Sequence, residues 1–233
     1  MTGLMQKHGK AMNNSTLIKI CGIKDALMLE HVIETGADLV GFMHFAKSPR
    51  HAGKEQIGRL IEMTSGKIRS VVVLVNPDRK TLKDIMELEP DFIQLHGNES
   101  PDWIADNFDA PDQMVIKALP IGSRADLEAI GMFGGLVRHI LLDARPPEQA
   151  NRPGGLGETF EWELLDALDG NQEFFLGGGL NPGNVRQAIS RVKPRGIDVS
   201  SGVESSLGIK DAGLITKFVT NARQADKNRT RDR

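Results

Sequence analysis

The sequence predicts an α/β fold in which eight parallel strands and eight helices close into a single (β/α)8 barrel, and three observations carry that expectation. Short β-branched or apolar runs alternate with longer amphipathic stretches along the whole chain, and strict βα alternation implies a parallel sheet. Eight such units fill 233 residues, the size of a closed barrel of this kind. The glycine-rich turns come late. An open doubly wound sheet would carry one after its first strand, whereas here that strand runs into Cys21-Gly22-Ile23-Lys24.

The strands are expected at 17–21, 38–43, 69–75, 91–95, 114–118, 138–143, 173–176 and 195–199. These runs are too short and too evenly apolar to alternate cleanly, as suits strands buried on both faces. Helices are expected at 25–35, 54–64, 78–88, 100–107, 123–131, 160–168, 181–191 and 209–222. Leu27, Met28, His31 and Val32 fall at helical spacing and Gly36 follows as a stop. Ser100-Pro101 and Asn181-Pro182 read as N-cap and first-turn pairs. No linker or change of composition marks a second domain. Residues 1–15 are expected to be a flexible extension, with Met5 or Met12 as alternative starts, 16–222 the barrel, and 223–233 a flexible charged tail.

Composition narrows the function. Hydrophobic residues are 39% and charged residues 26%, enough apolar side chain to build a core. The net charge of -2 gives no electrostatic footprint for nucleic acid. The one basic cluster, 227–233, is interrupted by Asp232 and reads as a solvated end. A single cysteine excludes an intrachain disulfide. The first residues lack the apolar stretch of a signal peptide, and the longest apolar run, 71–75, is far too short to span a membrane. A cytoplasmic protein without membrane or nucleic-acid partners, acting on a small molecule as a monomer or homodimer, is expected.

In such a barrel the chemistry sits on the loops that follow the strands. Strand seven runs into Gly177-Gly178-Gly179-Leu180-Asn181-Pro182 and strand eight into Ser200-Ser201-Gly202-Val203-Glu204. Glycines let backbone N–H groups approach a phosphate closely, and these two loops form the common phosphate site of the fold. Either they hold a substrate phosphate or they are tight turns at helix starts. A long segment, 144–158, carries Gly154-Gly155-Leu156-Gly157 and three prolines, as a lid or binding loop would.

Cys21, closing strand one, is either a small buried hydrophobe or a thiol activated beside a helix start. Asp143, closing strand six, either caps the loop or points into the mouth as a general acid. Arg50 in Lys47-Ser48-Pro49-Arg50 is a carboxylate or phosphate clamp or a solvated side chain. His96, after Gln94 and Leu95, is a structural or substrate-facing group. His44 and His51 flank the second loop, but no H-x-H or H-x-x-x-H spacing accompanies them, so no metal is expected.

The runs KICGI (19–23), GFMHFAKSPR (41–50), VVLVN (72–76), IQLHG (93–97), VIKAL (115–119), LLDA (141–144), GGLGETFEW (154–162), GGGLNPGNV (177–185) and DVSSGVE (198–204) stand in order along residues 17–219. Together they resemble the phosphoribosylanthranilate isomerases. The resemblance implies a TIM barrel and a cofactor-free Amadori rearrangement in tryptophan biosynthesis. It implies Cys21 as general base, Asp143 as general acid and Arg50 facing the anthranilate carboxylate. His96 and Gly155 join the substrate-binding candidates, and Gly178, Gly179, Ser200, Ser201 and Gly202 are implied to grip the phosphate.

Three places in the chain, four residues in all, depart from the family pattern. Leu156 and Glu158 replace a hydroxyl residue and a lysine-like residue, Ala46 replaces a proline, and His44 replaces an aromatic or aliphatic residue. The competing readings are a metal-dependent pentose-phosphate epimerase, an indole-glycerol-phosphate synthase using Lys19 or Lys117 at the mouth, and a non-catalytic phosphosugar-binding barrel.

Overall fold

A computed structural model describes residues 15–145, 161–168 and 172–231. The extension 1–14, most of the long loop after the sixth strand and the last two residues lie outside the described residues.

Eight strands close into a parallel barrel in chain order: β1 (Leu17–Cys21), β2 (Leu39–Met43), β3 (Arg69–Leu74), β4 (Phe92–Leu95), β5 (Val115–Ile121), β6 (His139–Ala144), β7 (Phe175–Leu176) and β8 (Gly196–Val199). Closure is made by β1 on β8, with Leu17 opposite Gly196 and Lys19 opposite Asp198. The two faces of these strands feed two separate cores. Ile18, Ile20, Val40, Phe42, Val72, Leu74, Ile93, Leu95 and Leu142 point outward and pack under the helices. Leu39, Val71, Phe92, Ile116, Ala118, Leu141 and Phe175, with Leu17 packed against them, fill the barrel's interior. This double burial is why the strands read as unbroken apolar runs.

The helices form where caps and stripes coincide. α1 (Ala26–Glu34) starts at Asp25, whose carboxylate accepts from Met28 N at 2.9 Å. α2 (Lys54–Thr64) buries Ile57 and Leu60, and α3 (Arg79–Met86) buries Leu82 and Ile85. α4 (Pro101–Asn107) begins at the expected Ser100-Pro101 pair, with Ser100 Oγ accepting from Trp103 N at 3.1 Å. A short helix, α5 (Pro111–Met114), precedes β5, and a 3₁₀ turn at Arg124–Leu127 precedes α6 (Glu128–Phe133).

Four expectations need correction. Residues 162–167 form a 3₁₀ turn rather than an α-helix. The helix after β7, α7 (Val185–Val192), is preceded by Asn184, because the carbonyl of Asn181 accepts from both Asn184 N and Val185 N in a turn that uses up Asn181-Pro182. Residues 204–210 form a hairpin, β9 (Glu204–Ser206) and β10 (Ile209–Lys210), and the last helix starts only after it. That helix, α8 (Ala212–Arg231), runs through the residues read as a charged tail. It continues because Phe218, Val219, Ala222 and Ala225 extend one buried stripe. Its charges also have partners: Arg223 donates to Thr16 O, Gly36 O and Asp38 Oδ2, and Asp226 accepts from Thr16 N and Oγ1.

Candidate active site

Side chains alternate along a strand, so the inward positions can be counted from the interior core. Lys19 and Cys21 continue the face of Leu17, Gln94 and His96 that of Phe92, and Asp143 that of Leu141. Asp198 and Ser200 continue that of Gly196. Cys21, His96, Asp143 and Ser200 therefore ring the mouth at the C-terminal ends of β1, β4, β6 and β8. Gln94, Lys19 and Asp198 lie one layer deeper.

On one side of the mouth stands Asp143, 9% exposed. Its Oδ1 accepts from Ala144 N at 3.0 Å, and its Oδ2 lies 3.2 Å from His96 Nε2. Gln94 Nε2 lies 3.0 Å from His96 Nδ1. An amide nitrogen only donates, so Nδ1 accepts and the neutral imidazole carries its proton on Nε2, aimed at Asp143. The Gln94 carbonyl is buried without a hydrogen-bond partner among the described residues.

Elsewhere on the mouth Cys21 is 4% exposed and in no disulfide. Burial pushes its thiol up, Lys19 and Lys210 pull it down and Asp198 adds to the rise, with a net upward shift. Ser200 Oγ donates to Cys21 O at 3.2 Å, tying the loop after β8 to the end of β1.

Arg50 is buried, and its fork is turned onto Glu204, with Nε at 2.6 Å from Oε1 and Nη2 at 2.9 Å from Oε2. Lys210 Nζ joins the same carboxylate at 2.8 Å and also reaches Ser200 O at 2.8 Å. Burial raises Glu204, but the hydrogen bonds and charges of Arg50 and Lys210 outweigh it and hold the carboxyl at about 2. Two cations and a carboxylate thus flank Ser200. Reading the sequence missed Glu204 and Lys210 as members of the site: Glu204 stood at the end of DVSSGVE with no role, and Lys210 was taken into a helix.

The glycine turns are shaped by close approach. Gly178 has φ +75°, and a Cβ there would lie 2.5 Å from Ala144 N. A Cβ on Gly202 would lie 1.8 Å from the carbonyl oxygen of Leu180. The loops after β6, β7 and β8 are therefore pressed together in a way that only glycine permits. Ser200, Ser201, Gly178 and Gly179 share that end of the mouth. Gly155, Leu156 and Glu158 lie outside the described residues.

Lys117 points away from the interior. Its ammonium donates to Gly97 O and Glu99 Oε2, each at 2.7 Å, and lies 5.8 Å from the Phe133 ring centroid. Lys19 is inside the barrel but bound to Asp198 at 2.8 Å. Among the described residues no group of three or more His, Cys, Asp or Glu is placed to hold a metal ion, and no helix is long and apolar enough to cross a membrane.

Residues 18–221 match the family described as N-(5′-phosphoribosyl)anthranilate isomerase. A relative of that name from Sinorhizobium medicae is 43% identical over 212 residues, covering 91% of this chain and 99% of the relative. The crystal structure of phosphoribosyl anthranilate isomerase from Thermotoga maritima superposes with a TM-score of 0.78 at 36% identity, covering 90% of this chain and 99% of that one. A further structure, of such an isomerase in complex with reduced 1-(o-carboxyphenylamino)-1-deoxyribulose 5-phosphate, gives 0.74 at 33% identity with the same coverage. The chain belongs to the N-(5′-phosphoribosyl)anthranilate isomerase family.

Proposed function

We propose that the chain converts N-(5′-phosphoribosyl)anthranilate to 1-(2-carboxyphenylamino)-1-deoxyribulose 5-phosphate in cytoplasmic tryptophan biosynthesis, with Asp143 as general acid and Cys21 as general base. The observation that supports the reading is that these two side chains line one barrel mouth from β1 and β6, three strands apart in the closed sheet. A sugar held between them meets an acid on one side and a base on the other. The ligand in the related complex, a reduced form of the same carboxyphenylamino sugar phosphate, has the matching anionic ends.

Asp143, protonated, gives its proton to the furanose ring oxygen. The bond from that oxygen to C1′ breaks as the anthranilate nitrogen's electron pair forms the Schiff base. Cys21, as thiolate, then takes the proton from C2′, and the released electron pair forms the enolamine. The enol hydroxyl tautomerises to the ketone, with a proton added at C1′. Every step moves a proton between substrate and a named side chain or solvent. His96 orients Asp143 through Nε2.

The turns at Gly178, Gly179, Ser200, Ser201 and Gly202 take the phosphate, with Gly155 expected to add a donor. Arg50 takes the anthranilate carboxylate, with its guanidinium plane fixed by Glu204. These two anion contacts fix the reacting carbon relative to acid and base.

The test is an isomerase assay that follows loss of substrate fluorescence, with phosphoribosylanthranilate generated in situ. Wild type is expected to turn over, and Cys21→Ala and Asp143→Ala to lose about 10²–10⁴ in kcat. A folded wild type without turnover sinks the activity. Turnover that survives both substitutions leaves the activity and sinks the residue roles.

A further inference from the structure

Directly beneath the mouth the barrel's interior stops being apolar. The lower layers hold Leu39, Val71, Phe92, Ile116, Leu141 and Phe175, yet the layer under Cys21 contains an ammonium and a carboxylate. Lys19 is 1% exposed, and its Nζ donates to Asp198 Oδ1 at 2.8 Å across the seam that closes the barrel. Burying such a pair costs several kcal/mol per ion, and apolar side chains of the same volume would fill the layer at least as well. The fold alone therefore gives no reason for it.

The geometry supplies one. Lys19 and Cys21 are two residues apart on β1 and point the same way. Both reach over Gly41, which lies opposite Cys21 in the β1–β2 register. A Cβ on Gly41 would lie 2.8 Å from Cys21 Sγ and 3.1 Å from Lys19 Nζ. The missing side chain leaves room for sulfur and ammonium to meet. The ammonium thus donates to the Asp198 carboxylate and shares the space over Gly41 with the Cys21 sulfur.

We propose that Lys19 is a positioning residue that favours the thiolate form of Cys21, and that Asp198 sets how much of the Lys19 charge the sulfur receives. The inference rests on Cys21 being the general base. The charged groups facing the sulfur are Lys19 from β1, Asp198 from β8 and Lys210 from β10. Lys19 and Lys210 favour the thiolate and Asp198 opposes it. The sulfur and Asp198 both favour the charged form of Lys19, and together they overcome the burial that disfavours it. Removing the lysine charge therefore drives the thiol upward, whereas removing the Asp198 charge leaves Lys19 to the sulfur and draws the thiol downward. A purely structural ion pair has no such opposition of sign, since loss of either partner weakens the same contact.

The chain is well suited to the measurement, because it has one cysteine and no tyrosine. Ultraviolet absorbance of the thiolate, titrated against pH with Cys21→Ser as blank, reports Cys21 alone without tyrosinate interference. The full chain is compared as wild type, Lys19→Met, Lys19→Arg and Asp198→Asn, with circular dichroism to check folding.

The midpoint is expected to rise by about one pH unit or more in Lys19→Met, a tenfold change in the ionisation equilibrium. It is expected to return toward wild type in Lys19→Arg and to fall in Asp198→Asn. The ascending limb of kcat/KM against pH should follow each shift. An unmoved midpoint in folded Lys19→Met overturns the proposal. If that variant does not fold, a midpoint that stays or rises in Asp198→Asn overturns it, and a fall supports it. Midpoints that shift as expected while Cys21→Ala keeps wild-type turnover would sink the base assignment and with it the catalytic meaning of the coupling.

Discussion

In the proposed mechanism Asp143 has to be held in place while it gives up a proton, and two side chains stand behind it in series. Gln94 donates to His96 Nδ1 and His96 Nε2 faces Asp143. His96→Ala removes one hydrogen bond to the acid without removing the acid. A hydrogen bond to a charged group contributes about 1.5 kcal/mol or somewhat more, so kcat should fall about tenfold, with KM changed less. Asp143→Asn keeps a partner for His96 but cannot supply the proton, so its loss should be larger by at least an order of magnitude. Steady-state kinetics of both variants check the ranking, and a His96→Ala defect as deep as that of Asp143→Asn would make the histidine a proton donor in its own right. The histidine was visible in the sequence because it closes a strand, as were Cys21 and Asp143. Position at a strand's end needs only the strand. What the sequence did not show were the pairings beside them, since Lys19 with Asp198 and Arg50 with Glu204 are ion pairs between residues 179 and 154 positions apart. Such pairs become legible only once β1 is known to close on β8 in a definite register.

At the scale of elements the barrel was legible and its last turn of chain was not. All eight strands lie close to where the apolar runs placed them, because runs this short and β-branched, repeating between amphipathic stretches, suit strands buried on both faces. α8 was cut short because its later stripe is written in alanine: Ala222 and Ala225 are buried, but small side chains carry little hydrophobic signal amid Arg223, Asp226 and Lys227. Arg223 and Asp226 looked like solvent-facing residues and instead tie the helix to Thr16, just before β1, and to the turn before β2. Asp226 accepts from Thr16 N at 2.9 Å and Thr16 Oγ1 at 2.7 Å, just before β1 begins. Asp226→Ala leaves the buried Thr16 without those partners, and an unsatisfied buried donor costs roughly 1–3 kcal/mol. Urea denaturation should show that loss with an unchanged slope, and turnover of the folded variant should stay near wild type because the site is at the other end of β1. A stability equal to wild type would mean that the helix end is held by its apolar stripe alone.

Two strongly shifted groups stand at the two ends of the barrel, and they act in different pH windows. At the mouth, Glu204 is held at about 2 by Arg50 and Lys210 against the pull of burial, so its stabilisation is complete above its ordinary value of 4.5 and is lost as pH falls from there towards 2. At the floor, His139 lies 4.9 Å from the Phe175 ring centroid and 5.9 Å from that of Phe92. Burial first, and then the charges of Arg138, Arg69 and Arg195, lower it to about 4 from an ordinary 6.5. The unfolded chain therefore binds this proton between pH 6.5 and 4 while the folded chain does not. Stability should decline as pH falls through that window, with a slope approaching ~1.4 kcal/mol per pH unit for one proton. Replacing the imidazole by an apolar side chain, as in His139→Leu, removes the proton from the balance and should flatten the curve between pH 6.5 and 4. The decline below pH 4.5 that belongs to Glu204 should persist. Urea denaturation at a series of pH values from 3 to 8 measures both curves. If the His139→Leu curve keeps the wild-type slope above pH 4.5, the floor histidine is not the group that takes up the proton, and the acid sensitivity of the fold lies elsewhere in the barrel.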